Sequence, residues 1–195
     1  MTDISMPTIT IDRMKARLDE ADPTGMRSIT GQLYTALGGR ARSSEIFRGA
    51  ERWWKVNFKG EHITDAGGGF RETVSNIADD LNSGRMPHCI PTPNHEHDEG
   101  DVRDAWMPNP SCTDANMYAF IGRLMSGAIQ SAESLPVRWP PFVWKKIARF
   151  PVTLDDYCSS IDASARNYAA VADCATEEEF NLSYEDAFTF SSTNS

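Results

Sequence analysis

The spacing of apolar residues along the chain predicts a largely helical protein. Residues 11–18, 26–37 and 74–81 place apolar side chains three and four positions apart, which is the spacing of one face of a helix. The longest stripe of this kind predicts a helix at the centre of the core, and it comprises Met117, Phe120, Ile121, Leu124, Met125, Ala128 and Ile129.

Strands are predicted to be few and short. Trp54, Val56 and Phe58 alternate with polar residues, and this period of two predicts a half-buried strand, while residues 187–190 predict another. The segment 82–111 shows no periodicity and holds five of the eleven prolines, which predicts an exposed loop or several short extended pieces joined by turns. The whole pattern predicts an α+β fold, mostly helical, with short strands or hairpins.

Three further helices are predicted after residue 140. Pro141 suits the first turn of the first helix, Pro151 is predicted to stop it, and its inward side is predicted to hold Val143, Trp144 and Ile147. Thr153 and Asp156 have the spacing of a capping box, which predicts the start of the second helix. The third helix is predicted over residues 163–175.

The net charge, the apolar runs and the cysteines limit which partners and which cellular location are expected. The 195 residues carry a net charge of −9, and because nucleic-acid binding depends on clustered Lys and Arg, no nucleic-acid partner is expected. No apolar run approaches the roughly 20 residues that span a bilayer, so no membrane partner is expected. Four scattered cysteines without a secretory signal predict free thiols and a cytoplasmic or nuclear location.

A run of glycines precedes the predicted helix at 74–81, in the stretch DAGGGFRETVSNIADDL that begins at Asp65. Glycines between a strand and a helix can form a phosphate-binding turn. The stretch lacks the lysine of a P-loop and the glycine spacing of a dinucleotide-binding turn. The favoured interpretation is therefore a structural turn in which Arg71 and Glu72 make local polar contacts, with a ligand site as the alternative.

Residues of the types that bind zinc occur between positions 88 and 112, namely His88, Cys89, His95, Glu96, His97, Asp98 and Cys112. Their spacing matches no closed zinc site, so a solvated acidic loop is the favoured interpretation and no metal or other cofactor is expected. A metal-dependent enzyme built on His95 and His97 is the least favoured of the functional hypotheses. No serine nucleophile motif is present, and nothing local supports a Cys–His pair.

Six segments, taken in order, resemble the N-terminal lobe of the HECT-type E3 ubiquitin ligase domain: GQLYTAL, WWKVNFKGEHITDAGGGFRETVSNIADDL, MPNPSC, YAFIGRLMSGAIQS, LPVRWPPFVWKKI and PVTLDDYCSSID. The resemblance runs from about Ile9 to Phe190 and is that of a divergent member. The residues that match the family motifs are Asp65, Gly67, Gly68, Phe70, Arg71, Glu72, Asn109, Pro110, Gly122, Leu124, Trp144 and Lys145.

The resemblance implies a division into two subdomains. Residues 1–162 would form the large subdomain of the lobe, and residues 163–195 would begin the small subdomain that binds the ubiquitin-conjugating enzyme E2. Because that small subdomain is truncated here, E2 binding is expected to be weak or lost, and no individual E2-binding residue is assigned. Ubiquitin and a substrate protein would be partners of the full-length ligase.

The resemblance also implies that the catalytic cysteine lies beyond Ser195, in a C-terminal lobe that is absent. Cys89, Cys112, Cys158 and Cys174 do not fall at the family's catalytic position. We therefore expect that this chain alone cannot carry ubiquitin as a thioester. The alternative hypothesis is a non-catalytic protein-interaction module that reuses the lobe.

Overall fold

The computed structural model describes residues 6–18, 22–42, 45–48, 52–61, 68–174 and 176–179. Helices alternate with a few short strands over these residues, which confirms the predicted α+β, mostly helical class. No helix in these ranges is long and apolar enough to cross a membrane. The helices are α1 Arg13–Ala16, α2 Ile29–Leu37, α3 Gly68–Leu81, α4 Pro93–His97, α5 Ala115–Ser131, α6 Pro141–Ile147, α7 Leu154–Ser160 and α8 Ala165–Ala172. The strands are β1 Thr8–Ile11, β2 Lys55–Phe58, β3 Cys89–Pro91 and β4 Trp106–Pro108, with 3₁₀ turns at Gly38–Arg42 and Glu45–Arg48.

The chain divides into two compact units. The first unit comprises Met1–Pro91 and Trp106–Trp139, and the second comprises Thr92–Ala105 and Pro140–Ser195. These bounds differ from those of the subdomains implied by the resemblance. The boundary at residues 162 and 163 stays a prediction, because residues 180–195 and the predicted strand at 187–190 lie outside the described residues.

A parallel pair of strands lies at one side of the first unit. β1 pairs with β2 in register, so that Thr8 lies opposite Lys55 and Ile11 opposite Phe58. The alternation in residues 54–58 correctly predicted β2, in which Val56 and Phe58 are buried. The helix predicted from Ile11 was wrong at its start, since Ile11 belongs to β1 and the helix begins at Arg13 after the cap by Asp12.

Aromatic rings fill the core of the first unit. Trp53 and Trp54 each lie 5.3 Å from the ring of Phe70, measured between ring centroids and in edge-to-face geometry. Phe47 lies 5.5 Å from Trp53 and 6.2 Å from Phe120, so the cluster reaches from the 3₁₀ turns to α5. Edge-to-face pairs of this kind stabilise a core beyond the area that they bury.

The predicted apolar stripes of α3 and α5 face this core, with one exception. Val74, Ile77 and Leu81 of α3 are buried, as are Phe120 and Leu124 of α5. Ile129, which we predicted to be inside, is 83 % exposed. It lies two residues before the end of α5, where the stripe has turned away from the core.

The segment 82–111 is more ordered and more buried than an exposed loop. Its extended pieces form an antiparallel pair, in which Cys89 of β3 lies opposite Pro108 of β4. Met86 and Cys89 are fully buried. Of the two predicted alternatives, short extended pieces were therefore right and an exposed loop was wrong. The sequence could not distinguish them, because strands of three residues are too short to show a period.

In the second unit, α6 and α7 pack side by side. The ring of Phe142 lies 5.4 Å from that of Tyr157, and the capping box of Thr153 and Asp156 at the start of α7 is formed as predicted. The predicted inward side of α6 was wrong, because Ile147 is 56 % exposed and Trp144 is 40 % exposed. The helix meets α7 through its other side.

Candidate functional site

The start of α3 places three consecutive motif residues in three different surroundings. Phe70 is fully buried in the aromatic cluster, and the guanidinium of Arg71 lies 3.4 Å from the carboxylate of Glu133. Glu72 forms an ion pair with Arg13, whose Nη2 lies 2.6 Å from the Glu72 carboxylate. Gly68 is the first residue of the helix, whereas Asp65 and Gly67 lie outside the described residues.

Arg13 is the centre of a polar network that sequence reasoning missed. Its guanidinium lies over the ring of Phe58 at 3.5 Å and lies 3.3 Å from Glu61 as well as close to Glu72. The network ties α1 to β2 and α3 through two ion pairs and the ring of Phe58, although the buried Nε and Nη2 of Arg13 have no hydrogen-bond partner among the described residues. Arg71 and Glu72 thus make polar contacts, but with residues distant in the sequence and not with local ones as predicted, and the predicted turn at residues 65–67 lies outside the described residues.

Asn109 and Pro110 form a turn that is tied to the β3–β4 pair. The side-chain amide of Asn109 donates to the carbonyl of Pro87 at 2.8 Å, and its oxygen accepts from the backbone N–H of Ser111. The hydroxyl of Tyr118 donates to the carbonyls of His88 and Asn109, both at 2.9 Å. Since every polar atom of the Asn109 side chain is used inside the protein, the turn is a structural device.

The motif residues of α5 have opposite surroundings. Leu124 is buried in the core, and Gly122 is exposed with nothing within 4 Å of the position where a Cβ would stand. A Cβ on Gly127 would stand 2.9 Å from the ring of Trp53 and 3.0 Å from Phe47. The absence of a side chain is therefore required at Gly127 and is not required at Gly122.

In the second unit, Lys145 attaches α6 to the start of α7. Its ammonium lies 2.5 Å from the carboxylate of Asp156, which is also the second member of the capping box. The hydrogen bond from Lys145 is the largest cause that lowers the pKa of Asp156 below its ordinary value of 3.8. Trp144, the other motif residue here, lies on the exposed side of the same helix.

Asn94 organises the second unit, although no pattern of residues indicates this role. The side chain is 1 % exposed, its amide donates to the carbonyls of Cys158 and Ser159, and its oxygen accepts from the N–H of Ala163 at 2.6 Å. The backbone N–H of Asn94 donates to Ile161. Asn94 therefore holds the end of α7, and its place in the aperiodic segment 82–111 hid this role.

The four cysteines are free, and the pKa of two of them is raised. Burial raises the pKa of the Cys89 thiol to about 12. Partial burial, followed by the carboxylates of Glu179 and Asp173, raises the pKa of Cys174. Cys158 is buried, and Cys112 is half-buried in the turn that follows Asn109. A nucleophilic cysteine needs a lowered pKa, and the surroundings of Cys89 and Cys174 produce the opposite.

No group of three or more His, Cys, Asp or Glu within the described ranges is placed to hold a metal ion. His88 is buried, with its Nε2 at 3.5 Å from the carboxylate of Asp114 and its ring edge-on to Tyr118. The Nδ1 of His95 lies 3.3 Å from the carbonyl of Ala105. The hypothesis of a metal-dependent enzyme on His95 and His97 therefore finds no ligand set in that part of the chain.

Comparisons with known proteins agree on one kind of domain. A family model described as HECT-domain (ubiquitin-transferase) matches residues 80–195. The E3 ubiquitin-protein ligase HERC2 of Mus musculus is 30 % identical to the chain over 156 residues, and HERC2 of Homo sapiens gives the same identity over the same length. Each match covers 78 % of this chain and 3 % of the relative, so the chain spans a small part of those proteins.

Proposed function

Because the chain belongs to the HECT family of ubiquitin transferases, we propose that it is the N-terminal lobe portion of a HECT E3 ubiquitin ligase. Such a ligase transfers ubiquitin from an E2 enzyme, through a cysteine thioester, to a lysine of a substrate protein. In this proposal the chain supplies the framework for E2 and ubiquitin, and the reacting cysteine belongs to a separate C-terminal lobe. A reducing compartment, the cytoplasm or the nucleus, is part of the proposal and is supported by the four free thiols.

The observation that carries this division of labour is the state of the thiols. Thioester formation needs a thiolate that attacks the carbonyl carbon of the E2-bound ubiquitin, and the thiol of E2 is the leaving group. With a pKa of about 12, Cys89 holds on the order of one thiolate in 10⁵ at pH 7. Cys174 is shifted in the same direction. The raised pKa values of Cys89 and Cys174 support a lobe in which these two thiols do not react.

The contacts of the motif residues also support a framework role. Phe70 and Leu124 are core residues, Asn109 ties a turn to a strand pair, and Lys145 joins two helices. Each is engaged inside the protein, so substitution of these residues would change folding before it changed chemistry. A framework of this kind positions a mobile reactive lobe, and the reaction itself takes place elsewhere.

The test is a thioester assay on non-reducing gels. The chain is incubated with activating enzyme, a charged E2, ubiquitin and ATP, and a complete HECT ligase serves as the positive control in a parallel reaction. We expect no ubiquitin adduct on this chain that is removed by a thiol reductant, while the control forms one. An adduct on this chain that disappears with reductant, and is lost when one of its cysteines is replaced by serine, would refute the proposal.

A non-catalytic interaction module that reuses the lobe is the second candidate, and the raised pKa values of Cys89 and Cys174 favour it equally. The coding sequence beyond Ser195 separates the two candidates. A downstream lobe with a cysteine supports the ligase, whereas an immediate stop codon supports the module. The two candidates can also be separated on the protein itself. An isolated C-terminal lobe is added in trans, and the loss of ubiquitin from charged E2 is measured.

A further inference from the structure

Exposed apolar side chains are concentrated in one part of the second unit. Nine large apolar side chains are exposed among the described residues, and five of them lie between Trp144 and Tyr168. Single exposed apolar residues are ordinary on a protein surface, whereas a concentration of them indicates an interaction site. The three that adjoin α6 are Trp144, Ile147 and Phe150, which are 40, 56 and 65 % exposed.

The geometry of α6 explains why these side chains point outward. Phe142 and Lys145 attach the helix to α7, through the Tyr157 ring and the Asp156 carboxylate. At about 100° per residue, Ile147 and Trp144 lie roughly 140° and 200° around the helix from Phe142. The side of α6 away from α7 therefore carries an indole and a branched aliphatic side chain, and both are exposed.

The end of α6 adds Phe150 through a helix-terminating motif. The N–H of Phe150 donates to the carbonyl of Lys145 at 2.9 Å, and the N–H of Arg149 donates to that of Lys146 at 3.2 Å. This is the hydrogen-bond pair of a Schellman motif, whose left-handed position is usually glycine. Arg149 occupies it with a φ of 59°.

Positive charge borders the apolar side chains. Lys146 and Arg149 are exposed, and neither forms an ion pair with another described residue. The sequence has no Asp or Glu between Glu133 and Asp155, although the whole chain carries a net charge of −9. The local charge is therefore opposite in sign to that of the chain, which selects for a partner surface that is acidic.

We propose that the α6 face, defined as Trp144, Ile147 and Phe150 with Lys146 and Arg149, docks an acidic amphipathic helix of a partner protein. Apolar side chains at helical spacing would cover Ile147 and Phe150, and carboxylates at the border of that stripe would pair with Lys146 and Arg149. A membrane is the poorer occupant, since α6 has only seven residues and presents little apolar area to a bilayer.

The test measures binding of a labelled peptide by fluorescence anisotropy. The probe is a synthetic amphipathic helix of about 16 residues with leucines at i, i+3, i+4 and i+7 spacing and glutamates beside them, and the comparison peptide has lysines in place of the glutamates. The protein variants are Ile147→Asp and the double variant Lys146→Glu, Arg149→Glu. Ile129→Asp is the matched control, because Ile129 is also exposed but lies on α5. Circular dichroism checks that each variant is folded.

We expect the acidic peptide to bind the unmodified chain, Ile147→Asp to weaken binding at least about tenfold, and Ile129→Asp to leave it unchanged. The double charge reversal should weaken binding severalfold and reduce its dependence on salt. Absence of binding, or equal binding of the basic peptide, would overturn the proposal. The proposal would also be overturned if the chain sedimented with phosphatidylserine vesicles and the Ile147→Asp variant did not. Self-association that Ile147→Asp abolishes would overturn it in favour of a second copy of the chain.

Discussion

Two glycines on the same helix are expected to respond in opposite directions to the same substitution. Gly122 and Gly127 both lie inside α5, so replacement by alanine removes the same backbone entropy from the unfolded chain in both cases. In a helix interior this change stabilises by about 1 kcal/mol when the methyl group meets no obstacle. Any difference between the two variants therefore reports what surrounds each Cβ.

The surroundings are known for both positions. The methyl group of Gly122→Ala has open space, so we expect a gain of about 0.5–1 kcal/mol in the free energy of unfolding. The methyl group of Gly127→Ala would stand 2.9 Å from the Trp53 ring, and that ring is held by Phe47 and Phe70 and cannot retreat. Overpacking of this kind costs about 1–3 kcal/mol, which exceeds the helix gain.

Urea unfolding followed by far-ultraviolet circular dichroism measures both effects. We expect the two variants to differ by about 1–3 kcal/mol, with Gly122→Ala above the unmodified chain and Gly127→Ala below it. Gly127→Ser provides a graded control, because its larger side chain should destabilise further. If Gly127→Ala were as stable as Gly122→Ala, the close approach of α5 to Trp53 would be refuted, and with it the packing of the aromatic cluster.

Asp80 and Asp156 should make the free energy of unfolding depend on pH in opposite directions. Asp80 accepts hydrogen bonds from the N–H and the hydroxyl of Thr30, and its burial raises its pKa. Its contribution to the free energy of unfolding is therefore largest below pH 3.8 and falls as the pH rises through the folded-state pKa. The free energy of unfolding of Asp80→Asn, measured in urea, should not show this decrease with pH. The prediction would be contradicted if the unmodified chain became more stable relative to the variant as the pH rises. The pKa of Asp156 is lowered by Lys145, so its contribution is present above pH 3.8 and is lost as the pH falls through the lower folded-state value. Lys145→Met should raise the Asp156 pKa in a carbon-13 NMR titration, and an unchanged titration would show that the ion pair is not formed.

Helix positions could be predicted from the sequence because each long helix carries its own signal. α3 and α5 have enough turns for the apolar period to appear, and the capping box of Thr153 and Asp156 marks the start of α7. The same signals do not say which side of a short helix meets its neighbour. α6 has aromatic residues on two sides, and only the position of α7 decides that Phe142 is covered while Trp144 is exposed.

Contacts between distant segments could not be predicted. The parallel pairing of Thr8 with Lys55, and the hydrogen bonds of Asn94 to the end of α7, depend on the folded backbone and leave no local pattern. For the candidate site, the resemblance identified Phe70, Asn109 and Lys145 as residues that matter. It did not indicate what each one contacts, and it gave no hint of Arg13, whose partners lie in β2, in the loop after β2 and in α3.

The pairing of β1 with β2 has a consequence for the order of events during synthesis. The ribosome releases the chain from its N-terminus, so Thr8–Ile11 emerges well before Lys55–Phe58, the strand with which it pairs. Until that partner appears, the nascent segment exposes the unused backbone groups of a strand edge, together with Ile9 and Ile11, which are buried once folding is complete. The earlier strand of this pair is thus unpaired until the later one is made, and slower translation between them lengthens the time in which another chain can pair with it.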